Sequence, residues 1–186
     1  VYSFLPSGNI LISDVQSGLF VLEMNLSEEQ RIPIYDGWNM VSTYLRNEDL
    51  DASLFIGPNS SNVVIMKNSI GMAYLPDWGF DGIGLLEYGQ GYQMKVNSLD
   101  TLSVVGVYSS VLNSIELNEG WNMISVLSKS EMDLEFIIAN LIDEVIIVKD
   151  NTGSVYLPEW DFNSIGNVVP GQGYQLKMSN SGILTY

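Results

Sequence analysis

The sequence predicts a mainly β chain: two tandem homologous β-rich domains, sandwich- or barrel-like, each with one short helix, behind an N-terminal β-hairpin. Three observations predict it. Motifs recur in order at a fixed spacing, most apolar residues alternate with the period of a strand, and helical spacing occurs in only one segment of each half. The recurrence is plain at "EGWNMIS" (Glu119 to Ser125), which repeats "DGWNMVS" (Asp36 to Ser42) eighty-three residues later. "IVKDNTGSVYLPEWDFNSIG" (Ile147 to Gly166) then matches "IMKNSIGMAYLPDWGFDGIG" (Ile65 to Gly84) at ten of twenty positions, and "GQGYQLK" matches "GQGYQMK" at six of seven. The offset falls to 82 at these later motifs, so one residue is lost in the less similar stretch between them. The division that follows is a leader over 1–29, a first domain over 30–108 and a second over 109–186.

The leader, "VYSFLPSGNILISDVQSGLFVLEMN", reads as a hairpin: Asn9 to Ser13, a turn through Asp14 to Gly18, then Leu19 to Glu23. A lone hairpin is marginal in water, so it is expected to pack on a domain, on a neighbouring molecule or on a further part of a longer protein.

Each domain opens with the GWNM strand. Trp38 and Met40 lie on one face, Val41 and Leu45 on the other, so this strand and its second copy are expected at the centre of a sheet with Trp38 and Trp121 in the core. Asn39 and Asn122 are expected to satisfy a turn. A short helix follows: Asn47 as cap, with Leu50, Leu54 and Phe55 inward and a stop at Gly57 and Pro58. In the second domain Ser130 is the cap, with Leu134, Ile137, Ile138, Leu141 and Ile142 inward. "VVIMK" and "VIIVK" are continuous apolar runs that suit strands covered on both faces. Gly89, Gly91, Gly171 and Gly173 are expected to make tight positive-φ turns, since an alternating strand follows where a phosphate loop would need a helix. In that strand Tyr92, Met94 and Val96 alternate with Gln93, Lys95 and Asn97, as Tyr174, Leu176 and Met178 alternate with Gln175, Lys177 and Ser179. That is a half-buried strand. The chain stops on "GILTY", whose counterpart "DTLSVVG" runs further, so the second domain is expected to have an unfinished ladder that a neighbouring copy could complete.

Composition limits the chemistry. The 186 residues contain no Cys and no His, which excludes histidine-dependent triads, His/Cys metal or haem sites and disulfides. Seven Lys plus Arg against twenty-two Asp plus Glu give a formal charge of -15. Nucleic acid and anionic membrane surfaces are therefore not expected as partners, and no apolar run is long enough to insert in a membrane.

The order GWN, then K-x-x-x-G-x-x-Y-x-P, then G-Q-G-Y-Q-x-K resembles repeat modules near the C-terminal ends of secreted and cell-surface bacterial proteins. The leader "LPSGNILISDVQSGLFVLE" is similar to the last blade of a propeller-like choice-of-anchor extracellular region. The resemblance implies secretion and surface display. It assigns no reaction and no ligand residue.

The expectation is a non-enzymatic extracellular structural or interaction module: a stalk, adhesin segment or surface assembly unit, with no cofactor. Its partners would be a protein or neighbouring copies joined by β-strand pairing. The alternative is a pair of carbohydrate-binding modules. For that, Trp78 and Trp160, in loops beside Asp77 and Glu159, are the candidate contacts with a glycan or partner. Asp77 and Asp81 with Glu159 and Asp161 are acidic enough to suggest calcium ligands, but the spacing matches no calcium loop and no metal ligand is assigned. Lys67, Lys95, Lys149 and Lys177 occupy matched strand positions and are expected to form cross-strand ion pairs or to guard a strand edge.

Overall fold

The computed structural model describes residues 9–14, 16, 18–23, 26–109 and 113–186. The chain is mainly β, with several antiparallel sheets and two short helices. The leader forms β1 (Asn9–Asp14) and β2 (Gly18–Glu23), paired antiparallel with Asn9 opposite Glu23, in a two-stranded sheet of their own.

The first half continues with β3 (Ser27–Ile34), β4 (Gly37–Ser42), β5 (Leu45–Arg46), α1 (Ala52–Ile56) and β6 (Val63–Lys67). It ends with β7 (Ala73–Leu75), β8 (Phe80–Asp81), β9 (Gly91–Val96) and β10 (Asp100–Tyr108). The second half has β11 (Ser114–Leu117), β12 (Gly120–Ser125), β13 (Met132–Asp133), α2 (Leu134–Ile138) and β14 (Val145–Lys149). There follow β15 (Val155–Leu157), β16 (Phe162–Asn163), β17 (Asn167–Val168), β18 (Gly173–Met178) and β19 (Gly182–Thr185).

Each half builds one five-stranded antiparallel sheet in the same order: β4-β9-β6-β7-β8 in the first, β12-β18-β14-β15-β16 in the second. A smaller sheet lies beside each, β3-β10-β5 and β11-β19. Buried side chains form one cluster per half, around Phe55, Tyr92 and Met94 in the first and around Leu134, Tyr174 and Leu176 in the second. The alternation expected of β9 and β18 is present, with Tyr92, Met94 and Val96 buried and Lys95 exposed.

Both helices are a single α turn extended by a 3-10 turn. Their caps are Asp51 and Asp133, not Asn47 and Ser130: the Asp51 carboxylate accepts from Leu54 N at 2.7 Å, and the Asp133 carboxylate from Phe136 N at 3.0 Å. An acceptor directly before the first helical residue reaches the free N–H groups of that turn, which one three or four residues further upstream cannot. Leu54 and Ile142, expected inward, are exposed. Leu54 falls on the outward side of its one-turn helix, and Ile142 lies past the end of its 3-10 turn.

Two strand expectations are overturned. β6 and β14 are covered on one face only, and Val64 and Ile146 are exposed. The GWNM strands β4 and β12 are end strands of their sheets, not central ones. Met40, Val41 and Ser42 are nevertheless buried, because the other half closes over that end of the strand.

The closure is reciprocal. Ser42 N donates to Gly171 O at 2.9 Å, and the equivalent Ser125 N donates to Gly89 O at 2.9 Å. Val41 bridges to Gln172, and Gln90 to Ile124, both antiparallel. The hydroxyls of Ser42 and Ser125 donate across the seam to Gln172 O and Thr43 O at 2.6 and 2.7 Å. Paired contacts of this kind are those of a two-fold interface, here within one chain.

The GQG glycines make that seam possible in two different ways. Gly89 and Gly171 have φ of 90° and 91°, the turn conformation expected of them. Gly91 and Gly173 do not have positive φ. They are strand residues where a side chain would have no room against the backbone of the other half.

Candidate functional site

Within each five-stranded sheet the ladder register decides which residues share the outward face. Trp38 stands opposite Lys95, Lys95 opposite Ile65, Met40 opposite Gln93, and Gln93 opposite Lys67. In the second half Trp121 stands opposite Lys177, Lys177 opposite Ile147, and Gln175 between Met123 and Lys149. The outward faces therefore carry a tryptophan, two lysines and a glutamine each.

Trp38 and Trp121 are 48% and 49% exposed, so neither is a core anchor. The size of the indole suggests burial, but the inward positions of these strands belong to Asn39 and Val41 and to Asn122 and Ile124. The asparagines do satisfy the turn. Asn39 Oδ1 accepts from Tyr35 N at 2.8 Å and its Nδ2 donates to Tyr35 O at 2.7 Å, and Asn122 makes the same pair of bonds to Asn118 at 2.9 and 2.8 Å.

The lysines also differ from expectation. Among the described residues the ion pairs are Arg31 with Glu29 and Lys129 with Glu28. Three of the four matched lysines pack on tryptophan instead: Lys67 Nζ lies 4.7 Å from the Trp38 ring centre, and Lys149 and Lys177 lie 5.0 and 5.8 Å from that of Trp121. An ammonium over an indole face is held by the ring quadrupole and covers part of the ring with its apolar stem.

Where the two halves diverge from the seam, clefts open beside these tryptophans. One, of about 180 Å³, is bounded by Trp38, Met40 and Gln93 of the first half and by Asn151 and Gln175 of the second. A cleft of about 180 Å³ adjoins it at Tyr35, Pro33 and Pro170. The equivalent place on the other side, about 230 Å³, lies between Trp121, Asn118 and Glu116 of the second half and Ser69, Ile70 and Gln90 of the first. The first and the last of these clefts thus set the tryptophan of one half against the β-hairpin tip of the other.

The candidates named from the sequence lie elsewhere in the fold. Trp78 and Trp160 end 3-10 turns, Pro76–Trp78 and Pro158–Trp160, and are 81% and 72% exposed. A left-handed residue follows each, Gly79 with φ 59° and Asp161 with φ 48°. Asp77 and Glu159 are exposed beside them, and no hydrogen bond or ion pair engages either among the described residues. Asp81 is committed to the backbone. Its Oδ1 accepts from Ile83 N and Gly84 N, both at 2.9 Å, and Asn163 does the same for Ile165 and Gly166 at 3.0 and 2.9 Å. An oxygen acceptor is all this turn requires, which is why Asp and Asn serve equally. Among the described residues no group of three or more acidic side chains gathers to hold a metal ion, and no helix is long and apolar enough to cross a membrane.

The strongly shifted groups lie in the cores, away from these surfaces. Burial pushes the Tyr92 and Tyr174 hydroxyls up to about 12. Each phenolic oxygen accepts a backbone N–H, from Glu87 at 2.8 Å and from Val169 at 2.9 Å. These are packing residues with a satisfied polar end.

No family model, no curated protein and no solved structure matches the chain.

Proposed function

We propose that this chain is a non-enzymatic extracellular interaction and structural module, in the manner of a stalk, adhesin segment or surface assembly unit. It would be built from two repeat domains locked together by a reciprocal seam. The observation that carries this reading is the placement of tryptophan: all four, Trp38, Trp78, Trp121 and Trp160, are exposed. Tryptophan contributes more on burial than any other side chain, and at contact surfaces it dominates the energy of association. A chain that fills its two cores with Ile, Leu, Val, Met, Phe and Tyr and displays every tryptophan has the makings of a contact surface. The extracellular placement rests on the resemblance of the GWN and GQGYQ motifs to secreted repeat modules.

A second reading, a pair of carbohydrate-binding modules, is favoured by the open Trp78 and Trp160, since a flat exposed aromatic is what a sugar ring stacks on. Both readings predict binding without turnover. The test is to pass the purified chain over immobilised polysaccharides and over immobilised copies of itself, and to assay the polysaccharides for new reducing ends. Retention with no reducing ends is expected. Release of reducing ends would overturn the non-enzymatic reading.

A further inference from the structure

The clefts on the two sides of the seam are related in position but differ in lining. Beside Trp38 two clefts adjoin, about 180 Å³ each, and share Asn39, Met40 and Asn151. Tyr35, 60% exposed, brings a second ring to this pair. At the equivalent place beside Trp121, Asn118 stands for Tyr35, Glu116 for Pro33 and Ser69 for Asn151. Gln93 and Gln175 both border the Trp38 side, and neither borders the cleft at Trp121. One lysine approaches the Trp38 ring, whereas two approach that of Trp121.

We infer that the pair of clefts beside Trp38 binds a neutral disaccharide unit and that the cleft beside Trp121 does not. This placement rests on the carbohydrate reading above and moves the contact from Trp78 and Trp160 to the seam. A sugar ring has C–H faces and a rim of hydroxyls, each of them donor and acceptor at once. Trp38 and Tyr35 answer to the faces. Lys67 covers one side of the indole at 4.7 Å and so serves as its support, while the ring remains 48% exposed at the cleft. The amides of Gln93, Asn151 and Gln175 answer to the rim, since an amide also carries both donors and an acceptor. All three are partly buried, they come from both halves, and none has a side-chain hydrogen-bond partner among the described residues.

The same lining disfavours other occupants. No Lys or Arg borders either cleft, Asp150 is the one ionised group there, and the chain carries -15, so an anion is repelled. The Asp150 carboxylate is committed to its own turn, accepting from the N–H groups of Thr152 and Ser154 at 2.8 and 2.7 Å, which leaves no free acid to pair with a cation. A wholly apolar ligand would cover three amides without giving them partners, which costs the desolvation of each. An extended peptide would need a long row of backbone groups to pair with, and these clefts are short. Each space of about 180 Å³ is below the usual range for drug-sized ligands and suits a single ring. Two such spaces side by side suit two linked rings.

The experiment is calorimetric titration of the whole chain with cellobiose, maltose and diacetylchitobiose, and with digalacturonic acid as the charged control. The wild type is compared with Trp38→Ala, Trp121→Ala, Gln93→Ala/Gln175→Ala and Trp78→Ala/Trp160→Ala, with thermal unfolding to show that each variant is folded. At least one neutral disaccharide is expected to bind the wild type and Trp121→Ala alike. The same sugar is expected to bind Trp38→Ala and the glutamine variant at least about tenfold more weakly, a change of about 1.4 kcal/mol. Equal weakening by Trp38→Ala and Trp121→Ala overturns the inference, as does tighter binding of digalacturonic acid. Loss of binding in Trp78→Ala/Trp160→Ala with Trp38→Ala unaffected also overturns it, and leaves the carbohydrate reading standing at the loops. Heat with none of the sugars overturns it as well, while retention of the chain on immobilised copies of itself would keep the interaction reading.

Discussion

Gly91 and Gly173 meet at the seam: a β-carbon on Gly91 would stand 3.3 Å from the Gly173 α-carbon and 2.8 Å from the Ile124 carbonyl oxygen. A β-carbon on Gly173 would stand 3.1 Å from Val41 O. The neighbours in each case are backbone, which cannot swing aside.

Gly91→Ala is therefore expected to force the halves apart and to cost about 1 to 3 kcal/mol, the usual range for overpacking. Gly173→Ala is expected to cost less, because its closest approach is longer. Urea unfolding of both variants measures the order, and a Gly91→Ala protein as stable as the wild type would show that the seam is not a packed interface.

Removing Trp38 or Trp121 is expected to cost below about 1 kcal/mol, as for an exposed residue that loses only a cation–π contact. Phe55→Ala, at a buried position, is expected to cost about 3 to 5 kcal/mol. Denaturant midpoints of the three variants decide it. A tryptophan loss as large as that of Phe55 would place the indoles in the core.

Stability is expected to fall in alkali. The folded Tyr92 and Tyr174 hydroxyls titrate near about 12, above the ordinary 10. Below pH 10 both states keep the proton and the full stability is present. Between about pH 10 and 12 the unfolded chain releases protons that the folded chain retains, so stability declines with rising pH, by about 2 to 3 kcal/mol per tyrosine. Absorbance titration of the phenolates alongside unfolding curves checks this. Ionisation at ordinary tyrosine pH with no loss of structure would contradict it.

Asp81→Asn is expected to leave stability unchanged, because Asn163 already fills the equivalent turn with the same two backbone bonds. Asp81→Ala is expected to cost about 1 kcal/mol through loss of the acceptor. Thermal melts of the pair separate the two.

The hairpin leader, the half-buried Tyr92 strand and one helix per half were legible in the sequence, because period two, period 3.6 and turn residues are local signals. The outward tryptophans were not. Alternation separates Trp38 from Val41 but does not say which of them faces a core, and the larger side chain was the natural choice. The core lies on the Val41 side. Gly91 and Gly173 were hidden for a related reason: in sequence, a glycine needed for close approach looks like one needed for a turn. The close approach of Gly91 to Gly173 exists only once the halves have met. Trp78 and Trp160 fall in turns, as the proline and acid before them suggest, whereas the clefts at Trp38 and Trp121 join segments far apart in the chain.

The central claim is that the displayed tryptophans serve contact and not packing. The most direct measurement compares retention of the wild-type chain with a Trp38→Ala/Trp78→Ala/Trp121→Ala/Trp160→Ala variant on immobilised polysaccharides and on immobilised wild-type chain. Circular dichroism would confirm that the variant is folded. The account predicts that the wild type is retained on at least one surface and that the folded variant passes through all of them. Identical elution of the two proteins from every surface would contradict it.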